Sequence, residues 1–108
     1  GGEEAMSIGP LDAFVAARGE EGLAAGCGLA EVLRTAGYRV LAEQEGRSMK
    51  AQMRTANKVE APVALILAEQ ELADGTVTVK EMATSEQQTM PRDQVVAWMR
   101  QRPAPCAT

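Results

Sequence analysis

Pro62 to Ala68 is the longest apolar run in the chain, and it does not alternate. A strand with one wet face alternates apolar and polar side chains. Val63-Ala64-Leu65-Ile66-Leu67-Ala68 therefore predicts a central strand covered on both faces. Such a strand demands helical layers on either side of a sheet. The run is also far short of the roughly 20 residues that a membrane-spanning helix needs, and no basic segment leading into an apolar one opens the chain, so no secretory signal is read. The chain has 108 residues, enough for one domain with one core. Its hydrophobic share of 45% is enough to build that core and argues against wholesale disorder.

The other elements follow from spacing. The Gly1-Gly2 start, with no Met, reads as a cloning scar on a piece of something longer, and residues 1–10 as a polar lead-in. Leu11 to Ala17 reads as a first strand, broken by Arg18-Gly19-Glu20-Glu21. Gly22 to Ala36 shows helical spacing through Leu23, Cys27, Ala30 and Leu33, and Gly37 is a natural stop. Gly26 and Gly28 each cost a helix about 1 kcal/mol relative to Ala, which close packing against a neighbour would explain. Tyr38 to Ala42 reads as a second strand. Gly46 or Ser48 caps a second helix running to about Lys58. After the central strand, Glu69 to Ala73 is a turn or helical turn ended by Asp74-Gly75. Thr76 to Lys80 alternates as an exposed strand should, and Glu86 to Met90 is its short partner. Pro91 opens a last helix that gathers Val95, Val96, Trp98 and Met99 and stops before Pro103. Residues 103–108 read as a flexible tail around a domain of residues 11–102. The order β-α-β-α-β-β-β-α makes the first three strands parallel in a three-layer α/β/α domain.

Several chemistries drop out. Histidine is absent, which removes a Ser-His-Asp triad, a Cys-His pair and any His-ligated zinc. Cys27 and Cys106 form no CxxC and read as free thiols in a reducing cytosol. Gly26-Cys27-Gly28 lacks the third glycine of a dinucleotide loop, where Glu31 stands, and lies inside a helix. No GK[ST] forms a phosphate-binding loop. Met49 and Met53 are four apart and read as core, not as a soft binding surface. Glu69 and Glu71 have no converging His, Lys cluster or metal ligands with which to act as an acid/base pair. No catalytic residue and no metal ligand set is assigned.

Charge is distributed unevenly. The formal net charge is -4, from 11 basic and 15 acidic residues, which on its own argues against nucleic-acid binding. Yet Gly46 to Lys58 contains Arg47, Lys50, Arg54 and Lys58 and no acid, leaving 7 basic and 15 acidic residues elsewhere. On a helix Lys50, Arg54 and Lys58 fall at i, i+4 and i+8, Arg47 joins the same side, and Met49, Met53 and Ala56 lie opposite. Like charges four apart repel by a few tenths of a kcal/mol. A solvated charge stripe usually interleaves acids, and this one does not. It points to an anionic partner, most naturally phosphate.

The block Gly46-Arg47-Ser48-Met49-Lys50-Ala51-Gln52-Met53-Arg54-Thr55-Ala56-Asn57-Lys58 resembles the GRSLKxQxxxAxK segment of the anticodon-binding domain of bacterial-type histidyl-tRNA synthetases. Ala61-Pro62 before the apolar strand, followed by Glu69-Gln70-Glu71-Leu72-Ala73-Asp74-Gly75-Thr76-Val77-Thr78-Val79-Lys80, is similar to the family's AP-strand-GExEL-x-x-GTVTVK run. Leu33-Arg34-Thr35-Ala36-Gly37-Tyr38-Arg39-Val40 and Met90-Pro91-Arg92-Asp93-Gln94-Val95-Val96 are similar to its LRxAGxRV and VPxDELV segments. The likeness covers residues 11 to 100. Three positions depart from the pattern. Ala17-Arg18-Gly19-Glu20 replaces a PLGE-like turn, Ala68 stands for a glycine before the acidic segment, and Glu60 stands where glycine is common.

The resemblance implies a five-stranded mixed sheet of order 2-1-3-4-5 with the fourth strand antiparallel. It implies tRNA anticodon recognition as the C-terminal domain of a synthetase whose separate catalytic domain attaches histidine using ATP and Mg2+, with no cofactor in this domain. The parent would be a cytoplasmic homodimer acting on histidine tRNA without a membrane, and the isolated fragment is expected to be monomeric. Arg47, Lys50, Arg54 and Lys58 are the expected tRNA backbone contacts. Loops at the carboxyl ends of strands, where such sheets bind ligands, hold Arg18 and Glu20 after the first strand and Glu69, Gln70 and Glu71 after the third. These five are the anticodon-reading candidates. The runner-up is a synthetase-like paralogue domain with a regulatory or scaffold role that does not charge tRNA.

Overall fold

The computed structural model describes residues 11–102. The readings for Gly1 to Pro10, for the tail from Pro103 and for Cys106 lie outside the described residues. Five strands form one sheet: β1 (Ala13–Ala17), β2 (Val40–Ala42), β3 (Val63–Leu67), β4 (Thr76–Glu81) and β5 (Gln87–Pro91). Four helices accompany them: α1 (Gly19–Thr35), α2 (Met49–Lys58), α3 (Glu69–Asp74) and α4 (Val95–Gln101), the last preceded by a 3-10 turn at Arg92–Gln94. The sheet order is β2-β1-β3-β4-β5. β1 is parallel to β2 and β3, β4 is antiparallel to β3, and β5 is antiparallel to β4.

β3 is the central strand that its sequence predicts, with Val63, Ala64, Leu65 and Leu67 buried. Its two faces feed separate cores. Val63, Leu65 and Leu67 join Ala13, Val15, Ala17, Val77 and Val79 against Leu29, Ala30 and Leu33 of α1 and Val95 and Met99 of α4. On the other face Phe14 and Ala16 of β1 meet Ala56 and Ala61, with Met49, Met53 and Ile66 packed around them. The two methionines are core side chains, as their spacing predicts. α2 lies over β1, and on β4 and β5 Thr78 and Thr89 approach through their hydroxyls at 3.1 Å.

Three boundaries and one packing argument differ from expectation. The stretch Arg18 to Glu21 is no break: α1 starts at Gly19, whose φ of +78° lets the chain turn from strand to helix without a connecting loop. β2 is shorter than predicted and starts at Val40, because Tyr38 and Arg39 are still leaving the helix stop. Pro91 ends β5 and precedes a 3-10 turn in place of opening the helix itself. The helix glycines divide: a Cβ on Gly26 would sit 3.1 Å from Val15 Cγ1, and one on Gly22 would sit 3.1 Å from the Leu67 carbonyl oxygen. Close packing thus explains Gly26 and Gly22. Gly28 has open space around it, and the packing argument fails there.

Helix α2 closes with paired bonds: Glu60 N–H donates to Asn57 C=O and Ala61 N–H to Ala56 C=O, both at 3.0 Å. This 5→2 and 6→1 pattern needs a left-handed residue at the first position beyond the cap. That residue is Glu60, at φ +60°. The glycine common in similar sequences has its physical reason here, and Glu60 holds the conformation at a cost of order 1–2 kcal/mol. Glu60→Gly is expected to raise stability by about 0.5–1 kcal/mol, the strain relief being partly offset by the freer unfolded chain. Thermal unfolding of the two chains measures it, and a lower melting temperature would refute it.

Candidate nucleic-acid interface

Ser48 caps α2, its side-chain oxygen accepting from Ala51 N–H at 3.2 Å. Lys50, Arg54 and Lys58 then follow on the exposed side of the helix. None of the three has an ion-pair partner among the described residues. Arg47 is different from its sequence placement. It precedes the cap, outside the helical stripe. Its guanidinium is held by Glu43 through Nη2 to Oε1 at 2.7 Å and Nε to Oε2 at 3.1 Å. Among the described residues α2 thus carries three cations without an ion-pair partner, Lys50, Arg54 and Lys58, while Arg47 before it is already paired.

Glu43 has a side chain only 3% exposed. Hydrogen bonding from the Arg47 side chain dominates over burial and lowers its pKa from 4.5 to about 2, with Arg47 N–H and Glu45 N–H adding to the same effect. The same pairing raises the pKa of Arg47. A carboxyl whose folded pKa lies below its unfolded value stabilises the fold above the unfolded value and loses that contribution as pH falls through the folded one. The chain is therefore expected to lose stability between pH 4.5 and about 2 on account of this pair. Glu43→Gln should be less stable near neutrality and show a shallower decline over that acid range. Urea midpoints measured at stepped pH check it, and parallel curves for the two chains would refute it.

The strand ends form a second feature. Arg18 follows β1 and caps α1, and Ala68 follows β3 and caps α3. Their junction is tied by Arg18 N–H donating to Leu67 C=O at 3.2 Å. Between them lies a cleft of about 440 Å³ lined by Arg18, Gly19, Ala68, Glu69 and Gln70. The cleft sits between β1 and β3, where the strand order reverses direction, the place where open α/β sheets bind ligands. Arg18 and Glu69 are exposed. Gln70 is exposed too, its amide donating to Asp74 Oδ2 at 2.7 Å.

Two of the five base-reading candidates are not brought to this cleft. Glu20 is exposed in the first turn of α1 and does not line it. Glu71 turns inward: its Oε1 accepts from Ala68 N–H at 3.0 Å and its Oε2 from the Thr78 hydroxyl at 2.6 Å. It braces the α3 start against β4. Gln52 carries no weight in a charge-based reading, yet it is fully buried and joins β1 to the start of α2. Its signal in the sequence is a polar residue between Met49, Met53 and Ala56 on the inward side of the helix. Among the described residues no group of three or more His, Cys, Asp and Glu gathers. No helix of the described residues is long and apolar enough to cross a membrane. Cys27 is an exposed free thiol on α1.

The domain thus joins an open α/β sheet, a polar switch-point cleft and, on the neighbouring helix, a row of cations unpaired among the described residues. Comparison with known proteins gives the class a name: the Anticodon binding domain family matches residues 12–102, and the chain belongs to that family. Within it the chain is of the histidyl-tRNA synthetase type. It is 43% identical over 96 residues to the histidine–tRNA ligase of Rhodococcus erythropolis, covering 86% of this chain and 23% of that protein. It is 45% identical over 82 residues to that of Oleidesulfovibrio alaskensis, covering 76% of this chain and 20% of that protein. The crystal structure of apo S. aureus histidyl-tRNA synthetase superposes with a TM-score of 0.77 at 28% identity, over 83% of this chain and 26% of that one. The chain spans about a fifth to a quarter of the length of these relatives.

Proposed function

We propose that this domain binds the anticodon arm of histidine tRNA on behalf of a longer synthetase. Lys50, Arg54 and Lys58 contact the backbone phosphates, and the cleft of Arg18, Glu69 and Gln70 reads bases. The observation that carries the reading is the row of exposed cations, unpaired among the described residues, in a chain whose remainder is acidic. Such a row neutralises phosphates and positions the RNA without reading sequence, while acids, amides and Arg at the cleft pair with base edges. Arg47, held by Glu43, shapes the loop between β2 and α2 and reaches phosphate only through the part of its guanidinium left exposed. Glu20 adds to the cleft only from its rim.

In the parent protein, ATP and Mg2+ supply the activation of histidine in a separate catalytic part, within a cytoplasmic homodimer. The domain's own residues contribute binding and orientation. A titration of labelled stem-loops tests the reading. The stem-loop carrying the histidine anticodon should bind in the range of largely electrostatic association, about 10⁻⁴ to 10⁻⁶ M, and more tightly than one with a changed anticodon. Equal affinity for the two would refute base reading, and salt-independent affinity would refute the phosphate contacts.

A further inference from the structure

β2 stops at Ala42, which pairs with Val15, while β1 continues to Ala17. Val15 C=O accepts from Glu43 N–H at 2.9 Å on the β2 side. In a parallel ladder the next β1 groups facing that side belong to Ala17, and among the described residues no strand reaches them. The Gln52 amide does: its Oε1 accepts from Ala17 N–H at 2.8 Å and its Nε2 donates to Ala17 C=O at 2.9 Å. A primary amide has the donor and acceptor of a peptide group, so it completes the ladder where the strand is missing. Its second N–H donates to Arg47 C=O at 2.7 Å. All three bonds of this buried side chain are made to backbone.

Those backbone groups sit at the two halves of the interface. Ala17 precedes Arg18 at the cleft, and Arg47 precedes Ser48, the cap from which the cationic row starts. Arg47 is fixed from its other end as well, by the Glu43 carboxylate. We infer that Gln52 is a positioning residue for anticodon reading: one buried amide holds the base-reading corner at Arg18 in register with the phosphate-binding face of α2. The inference rests on the proposed tRNA reading above. The physical reason is that bases are read by short directional bonds, and a reading side chain displaced by even half an ångström relative to the anchored backbone loses them. Phosphate contacts are less demanding of geometry, so loosening the clamp should damage selectivity before it damages electrostatic attachment.

The test uses the 108-residue chain, two RNA stem-loops that differ only in the anticodon, and anisotropy titrations at several salt concentrations. Gln52→Met keeps the length of the side chain and removes all three bonds. The ratio of affinities for the two RNAs is expected to fall about fivefold or more, the worth of one base contact, with the slope of log affinity against log salt unchanged. A folded variant that keeps the wild-type ratio overturns the inference, because a merely structural amide would lower both affinities together. If Gln52→Met does not fold, Gln52→Glu is measured in the same way: it keeps acceptance from Ala17 N–H and loses both donations. If neither folds, exchange of the Gln52 side-chain amide protons in the wild-type chain decides. RNA that binds only the closed clamp must slow that exchange, about tenfold or more at saturation, and an unchanged rate overturns the inference. A wild-type chain that does not distinguish the two RNAs overturns the tRNA reading and this inference with it. A wild-type chain that does, beside a folded variant that still does, overturns this inference alone.

Discussion

Replacing Lys50, Arg54 and Lys58 together by alanine is expected to weaken binding of the histidine tRNA stem-loop about 10²-fold at physiological salt. Each phosphate neutralised releases counterions worth a slope of about 0.7–0.9 in log affinity against log salt, which at about 0.15 M is roughly four- to fivefold in affinity. Three such contacts multiply to about two decades, and the salt slope should drop by about 2–3. The same variant should fold at least as well as the wild type. The three cations stand four residues apart on an exposed helix face, where like charges repel by a few tenths of a kcal/mol per pair, and alanine is the best helix former. Weaker binding with equal or higher stability separates a ligand-binding row from a structural one. Unchanged affinity and slope would show that the row is only solvated, and would favour a paralogue that does not bind tRNA.

Phe14→Ala is expected to be the most damaging single truncation on the α2 side of the sheet, costing about 3–5 kcal/mol. Phe14 is 1% exposed, and the other fully enclosed members of its cluster are Ala16, Ala56 and Ala61. Among the described residues it is thus the one large apolar side chain wholly buried in that cluster. The partly buried Met49 and Met53 are flexible enough to move into the space, which favours the lower end of the range. Set against a total stability of about 5–15 kcal/mol for a domain of this kind, the loss would lower the melting temperature by at least about 12 °C. It should also weaken RNA binding, since the cationic row rides on that helix. A loss under about 1 kcal/mol would show that the α2 layer is held chiefly by other contacts, the Gln52 amide foremost.

What could be read from the sequence was periodicity and charge. The Pro62 to Ala68 run gave a buried strand, the Lys50, Arg54 and Lys58 spacing gave an exposed basic helix face, and Gly37 gave a helix stop. The start of α1 was hidden because Gly19 at positive φ, followed by two glutamates, looks like a turn while serving as a first helical turn. Glu71 looked available to a ligand because its partners, Ala68 N–H and the Thr78 hydroxyl, are brought to it only by the α3 to β4 fold-back. A capping residue with an oxygen would have signalled the helix start, and Ala68 has none. Arg47 shared the sign of its neighbours, yet Glu43 lies four residues before it in a loop, where no helical spacing rule announces a pair. The sheet order came from family resemblance, since strand-length patterns carry no information on which strand lies beside which.

The sheet order has a consequence for how the chain reaches this structure. β1 is first in sequence but lies between β2 and β3, and Phe14 is paired with Ala64. The β3-β4-β5 meander joins near neighbours, as with Lys80 and Gln87 across the last hairpin. Closing a long loop costs entropy that a short one does not, and contacts of low sequence separation form faster. The meander is therefore expected to form first, with the β1–β3 pairing following later. During synthesis from the N-terminus β1 meets β2 once Ala42 has been added but has no partner on its β3 side until Leu67 follows, so its closure into the middle of the sheet is the expected slow step of folding.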